Sequence, residues 1–350
     1  MRGILRSLLA ASAPLWVMTA LAQNESQPYE EPKLGEVNFS VSCSAPAQQK
    51  FSRAVAILHS FWYEEAQSAF ADVIKTDPSC AMGYWGIAMS NWHPLWFPPT
   101  PEELRAGLKA ANAAAALGGT SDREHGYIDA VLAFYRDTET LDHHTRAVAY
   151  EREMEKVYLR YPDDREAAIF YALALNATAS PSDKTYANQK KAAQILTAIF
   201  AEQPNHPGVA HYLIHSYDSA PLAALGLPAA ICYSKIAPSV PHALHMPSHI
   251  FTRLGKWQES VDANRQSLAA GQDYSLRHWG EGVAWDQSLH AMDYLEYAYL
   301  QLRQDNAAKQ LVDDVSAFRE ATPPTLGAAY AMAAIPARYA VERRDWPLAA

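Results

Sequence analysis

Residues 204–255 read PNHPGVAHYLIHSYDSAPLAALGLPAAICYSKIAPSVPHALHMPSHIFTRLG. The two halves of this stretch repeat each other. Pro204 and Pro238 are 34 residues apart; His211 and His245 each follow their proline by seven residues, and His215 and His249 by eleven. A 34-residue period closed by a proline is the length of a two-helix unit repeated in tandem. Such units pack mainly on their neighbours, so the stretch points to an all-α array built from antiparallel helix pairs.

The same pattern continues on both sides. Upstream, AQQKFSRAVAILHSFW and YEEAQSAFADVIKTDP form a pair that starts near Ala47 and closes at Pro78. Thr100-Pro101-Glu102-Glu103 and Ser121 to Glu124 are helix starts, with a capping side chain and a glutamate three residues on. HPLWFPPT, residues 93–100, holds three prolines and is a connector, not a helix interior. Downstream, RLGKWQESVDANRQSL is a turn and second helix, residues 269–285 are an insertion, and two further pairs follow. The last pair breaks off at Ala350 inside its expected second helix, so the array reads as incomplete. The divisions are an export signal over 1–22, an extended segment over 23–46 and the helical array over 47–350.

The export signal rests on Arg2 and Arg6, the apolar run Leu8 to Leu21 and the small-residue cleavage site Ala20-Leu21-Ala22. No later stretch of the mature chain is apolar and long enough to span a membrane. The expectation is an exported protein, periplasmic or secreted. Cys43 and Cys80 flank the first helix pair at ends that an antiparallel arrangement makes neighbours, so a disulfide is expected there. In the chain-entropy model such a loop is worth up to about 3–4 kcal/mol. Among 350 residues, 49% hydrophobic and 19% charged, the formal charge is −9 and no basic run occurs, which argues against nucleic-acid binding.

Ala66, Phe70, Val73 and Pro78, and again Gly255, Trp257 and Ser260, resemble the tetratricopeptide-repeat superfamily from about residue 47 onward. HSFWYEEA, PSCAMGYWGIAMS and PHALHMPSHIFTRLG are similar to phrases in exported bacterial tetratricopeptide proteins of unknown role. The resemblance implies a superhelix whose first helices line a concave groove, and a protein or peptide partner held there.

Helical rotation of about 100° per residue places the histidines. Ala210, Leu213, Ile214 and Tyr217 make the apolar stripe of one helix; His211 and His215 fall beside it. Leu244, Ser248 and Phe251 take the stripe positions in the next unit, leaving His245 and His249 in the same off-core register, joined by His242. One unit on, the equivalents are His290, Asp293 and Tyr297. The expectation is a groove lined by His211, His215, His242, His245, His249, Arg253, His290, Asp293 and Tyr297 that binds a peptide, protein or small ligand. The alternative is a metal site, Zn or Cu, with His211, His215, His245 and His249 as ligands, because imidazoles at i and i+4 share one helix face and suit both metals. No phosphate loop, H-E-x-x-H or G-x-S-x-G is present. Binding is therefore expected ahead of catalysis.

Overall fold

The computed structural model describes residues 31–95, 97–117 and 120–349. The expected export signal over 1–22 lies outside the described residues. From Lys33 onward the described residues form one compact unit. It is built almost entirely of helices, and among the described residues no helix is long and apolar enough to cross a membrane.

Short turns join helices that pack on each other in sequence order. α1 (Ala45–His59) pairs with α2 (Tyr63–Thr76), and α3 (Ala81–Ser90) with α4 (Pro101–Ala116). α5 (Asp122–Tyr135) pairs with α6 (His143–Arg160), α7 (Arg165–Ala177) with α8 (Ala187–Glu202), and α9 (Pro207–Tyr217) with α10 (Ala223–Ile236). The helix starts follow local chemistry: Thr100 and Glu103, and Ser121 and Glu124, form reciprocal capping boxes that satisfy otherwise unpaired N–H groups. Residues 31–44 carry no helix, and Phe39 from this segment is buried among Phe51, Trp85, Tyr127 and Phe170. Cys43 and Cys80 form a disulfide at the far end of the first pair, with Cα atoms 5.0 Å apart.

The second histidine helix is in two pieces, α11 (Pro241–His245) and α12 (Pro247–Arg253). Pro247 has no N–H to donate, which interrupts the ladder, but Met246 stays right-handed helical (φ −53°, ψ −34°) and keeps both pieces in line. α13 spans Trp257–Trp279, so most of the expected insertion over 269–285 is instead an extension of this helix. The remainder forms β1 (Val283–Trp285), paired in parallel with β2 (Glu320–Thr322). α14 (Asp286–Gln301), α15 (Asp305–Ala317), α16 (Leu326–Glu342) and α17 (Trp346–Ala349) complete the chain.

Units packed only on their neighbours would keep the first pair far from the later ones. The structure differs. α1 packs against α9, and Gly208 makes this approach possible: a Cβ there would sit 2.6 Å from His59 Nδ1. Trp62 packs its ring on Tyr274 and Trp285, and Gln287 donates to the Phe61 carbonyl at 3.1 Å. The turn between α1 and α2 is thus held against α9, α13 and α14. One hydrophobic cluster runs from Leu34 to Ile250 and a second from Val261 to Tyr339. His290, on α14 between core residues Leu289 and Met292 of the second cluster, faces histidines carried by helices of the first.

A candidate two-site metal centre

The fold gathers six histidines into two groups of three: His211, His215 and His242, and His245, His249 and His290. Within each group one nitrogen from every ring lies within 4.8 Å of the others. The groups adjoin. Ring centroids of His215 and His249 are 6.2 Å apart, and those of His242 and His245 are 5.9 Å apart.

Rotation alone placed these side chains beside the apolar stripe, on an open groove. The fold-back of the α1–α2 turn corrects that expectation. His211, His242, His245 and His249 are 0%, 2%, 1% and 8% exposed: Phe61 packs on the first two, and His290 and Tyr294 on the last two. The Phe61 ring lies 4.4 Å from His211 and within 6 Å of His215 and His242, centroid to centroid. Its backbone is left-handed at φ 54°, an unfavourable conformation for a bulky residue and one that clusters at functional sites.

The hydrogen bonds on the outer nitrogens fix the tautomers. His245 Nδ1 donates to Asn264 Oδ1 at 2.6 Å. That oxygen cannot be the amide nitrogen, because Asn264 Nδ2 donates to the Ser260 carbonyl at 2.8 Å. His249 Nδ1 donates to Asp218 Oδ2 at 2.8 Å, and Asp218 Oδ1 accepts from Arg253 Nε at 2.8 Å. Each Nδ1 therefore carries a proton, and in the neutral imidazole each Nε2 presents a bare lone pair. These two Nε2 atoms face each other at 3.0 Å. Two lone pairs make no hydrogen bond; the approach is favourable only around a cation.

The first group is wired alike. His211 Nδ1 donates to the His59 carbonyl at 2.7 Å, leaving its Nε2 bare. His215 Nε2 and His242 Nε2 both converge on it, at 3.1 and 3.2 Å. An imidazole nitrogen has one lone pair and accepts one well-aligned N–H. For comparison, neighbouring nitrogens around a tetrahedral ion with bonds of about 2.0–2.1 Å are about 3.3 Å apart. Backbone or side-chain acceptors on the outer nitrogens are the arrangement that orients metal-bound imidazoles.

On five of the six rings burial disfavours a proton in that role. Burial first, and neighbouring imidazoles second, push His211, His242 and His245 well below the ordinary histidine range. The same causes lower His215 and His290 to about 3. Asp218 is held well below the usual carboxylate range: burial alone would raise it, but His249 and Arg253 overcome that.

A third buried cluster looks similar but is chemically complete. Glu166, in the first turn of α7, accepts from His59 Nε2 at 2.9 Å and from His206 Nε2 at 2.8 Å. His59 Nδ1 accepts from the Tyr212 hydroxyl at 2.9 Å, and His206 Nδ1 accepts from the Val209 amide at 3.3 Å. Every ring nitrogen has a partner of opposite role.

The remaining expected residues separate from the histidines. Asp293 Oδ1 accepts from Arg338 at 2.6 Å, so it is drawn to α16 and not to the imidazoles. Tyr297 packs edge-on to Trp257 and beneath the Arg338 guanidinium. Its neighbour Tyr294 is the tyrosine that reaches His249 Nδ1, at 3.2 Å. Arg253 is half-exposed and acts on the site through Asp218. Asp293, Tyr297, Arg253 and Arg338 border a separate cavity of about 270 Å³ beside His249. Rotation and spacing missed Asp218, Asn264, Phe61, Tyr294 and the His59–Glu166–His206 cluster. Only Asp218 had a readable signal, three residues beyond His215 at the end of the same helix.

No protein-family model matches this chain, and no curated protein is significantly similar to it.

Proposed function

We propose that this protein binds two transition-metal ions, Zn or Cu, one in each three-histidine group. A single observation carries the reading: the bare Nε2 atoms of His245 and His249 lie 3.0 Å apart with both Nδ1 protons already committed to Asn264 and Asp218. A metal ion turns that repulsion into two bonds. His211, with its Nδ1 proton committed to a backbone carbonyl, repeats the logic in the first group. Imidazole is a ligand common to Zn and Cu, and three protein ligands leave each ion a position for an outside molecule. The test is metal analysis of untagged protein, followed by titration of the stripped protein. About two equivalents are expected, with a rise in melting temperature. Less than about 0.1 equivalent, with no thermal shift on adding Zn²⁺ or Cu²⁺, removes the reading, because a ligand that binds only the native state must stabilise it.

We also propose that the helix pairs are tetratricopeptide-like and that the protein is exported to the periplasm or medium. The 34-residue spacing of Pro204 and Pro238 supports the first point. The second draws on residues 1–22 and on the Cys43–Cys80 disulfide, a bond that persists in oxidising compartments. Amino-terminal sequencing that found Met1 retained on all of the protein would count against export. A protein or peptide partner has one remaining support, the cavity bordered by Arg253, Tyr297 and Arg338, and an Arg338→Ala variant that captured such a partner unchanged would count against it.

A further inference from the structure

The cavity of about 270 Å³ beside His249 is small for a drug-sized ligand and suits one compact group. Its wall is rich in donors. Arg253 commits only Nε, which donates to Asp218 Oδ1 at 2.8 Å. Arg338 commits only Nη1, which donates to Asp293 Oδ1 at 2.6 Å, to the Asp293 carbonyl at 3.1 Å and to Glu296 Oε2 at 3.2 Å. The other N–H groups of both guanidinia, and the hydroxyl of Tyr297, have no acceptor among the described residues. The Tyr294 oxygen lies 3.2 Å from His249 Nδ1, which leaves its own O–H to donate.

The charges on this wall balance. Asp218 and Asp293 each hold one guanidinium. Burial pushes Glu296, which also accepts from Arg338, up to about 7, so it adds only part of a charge at neutral pH. A balanced wall with spare donors suits a singly charged oxyanion, and a doubly charged one brings more charge than the wall offsets. The planar donors of a guanidinium match a carboxylate in shape as well.

Asp218 ties this cavity to the second histidine group. It accepts from Arg253 on one side and from His249 Nδ1 on the other, at 2.8 Å each. A metal ion on His249 Nε2 withdraws electrons from the ring and makes Nδ1–H a stronger donor. Asp218 is then drawn toward His249, and Arg253 is freer to meet an incoming anion. The charge of the ion acts in the same direction whatever its valence. Tyr294 is a second link: its ring lies 4.6, 5.1 and 5.2 Å from those of His249, His245 and His290, and it also borders the cavity.

We propose that this cavity binds a carboxylate group, from a small organic acid or from the carboxyl end of a peptide, and that the carboxylate and a metal ion in the second histidine group tighten each other's binding. The coupling rests on the metal reading above; the carboxylate site does not.

The test is calorimetric titration of the full chain, metal-free and metal-loaded, with acetate, with N-acetylated trialanine and with phosphate at constant ionic strength. One saturable carboxylate site is expected in the metal-free protein, tighter by about fivefold or more when metal is bound. Coupling is reciprocal, so the anion measurement alone reports it. Tighter binding of the peptide than of acetate assigns the carboxyl end of a peptide, and equal binding assigns a small acid. Arg338→Gln should weaken the site by about tenfold or more and Tyr297→Phe by about two- to tenfold, with two metals retained in each. The proposal is overturned by the absence of saturation in both forms, by phosphate binding more tightly than acetate, by unchanged affinity in both variants, or by equal affinity with and without two retained metals. Failure to retain any metal removes the metal reading, and the metal-free titrations then decide the carboxylate site. Should Arg338→Gln misfold, Tyr297→Phe decides it.

Discussion

Two kinds of buried histidine cluster adjoin in this protein, and they are wired in opposite ways. Around Glu166, each imidazole nitrogen meets a group of the complementary role, and nothing more is needed. Around His245 and His249, two acceptors confront each other. Burial is nearly complete in both, so burial does not separate a structural histidine from a candidate ligand. What separates them is where the outer nitrogen sends its proton. His59 takes part in both kinds of wiring: its ring completes the Glu166 cluster, and its carbonyl accepts the His211 proton, which leaves Nε2 of that candidate ligand facing its own group. One cluster therefore braces the other.

The contrast is broken most severely at Glu166. Glu166→Ala strands two buried N–H donors and should cost about 3–5 kcal/mol in chemical denaturation of the metal-free protein. Both metals should still bind to the fraction that folds. A loss of metal sites larger than the loss of folded protein would show that the Glu166 cluster either braces the histidine groups or takes a metal itself, and a count above two equivalents in the unmodified protein would single out the latter. Next in size is metal itself. Ligand at 100 to 1,000 times its dissociation constant stabilises by about 3–4 kcal/mol, which should appear as a rise in melting temperature of several degrees or more. The same addition to His249→Ala should recover only the share belonging to the first group. Asp218→Asn comes third. It leaves the direct ligands in place but weakens the acceptor that orients His249, and should lower affinity at one site by about 10–100-fold. Unchanged affinity at both sites in a titration would mean that Asp218 serves only Arg253.

Acid should sharpen the contrast with the smallest effect. Burial depresses His59 below the ordinary 6.5, so the unfolded state binds more protons as pH falls past that value, and stability declines. Burial would raise Glu166, but His206 and His59 hold it well below 4.5, so its contribution is present above about pH 4.5 and is lost below it. Both groups act in one direction. The denaturation midpoint of the metal-free protein should fall below pH 6.5 and fall further below 4.5. Glu166→Gln should remove the second part and keep the first. An acid limb identical in the variant would place the sensitivity elsewhere.

Local features were legible in the sequence. Both capping boxes, the closing prolines and the i, i+4 spacing of the histidine pairs are read from a few adjacent residues, and each is a matter of backbone chemistry over one or two turns. The identity of five clustered histidines and the addition of His290 came from register alone. What sequence could not supply is non-local. Phe61 and His211 are separated by 150 residues and meet because the α1–α2 turn folds back, which turns an expected groove into a covered chamber. Asn264 is unremarkable in its own helix and acquires meaning only opposite His245. Asp293 shares the register of the ladder, but register gives direction without competition, and Arg338 wins it. Residues 269–285 read as an insertion because they carry polar and aromatic residues without a clean apolar stripe, yet a long α13 carries most of them.

The disulfide at the other end of the first helix pair has a consequence for the order in which the protein is made. Thiolates are softer ligands than imidazoles and compete strongly for copper(I) and zinc. While Cys43 and Cys80 are reduced, they offer a nascent chain two sulfurs that can capture a metal before the histidines have been brought together. Once they are joined, that competitor is gone, and the one free cysteine is half-buried Cys232. On the metal reading proposed above, the bond therefore leaves imidazoles as the donors a metal meets, as well as holding two helix ends.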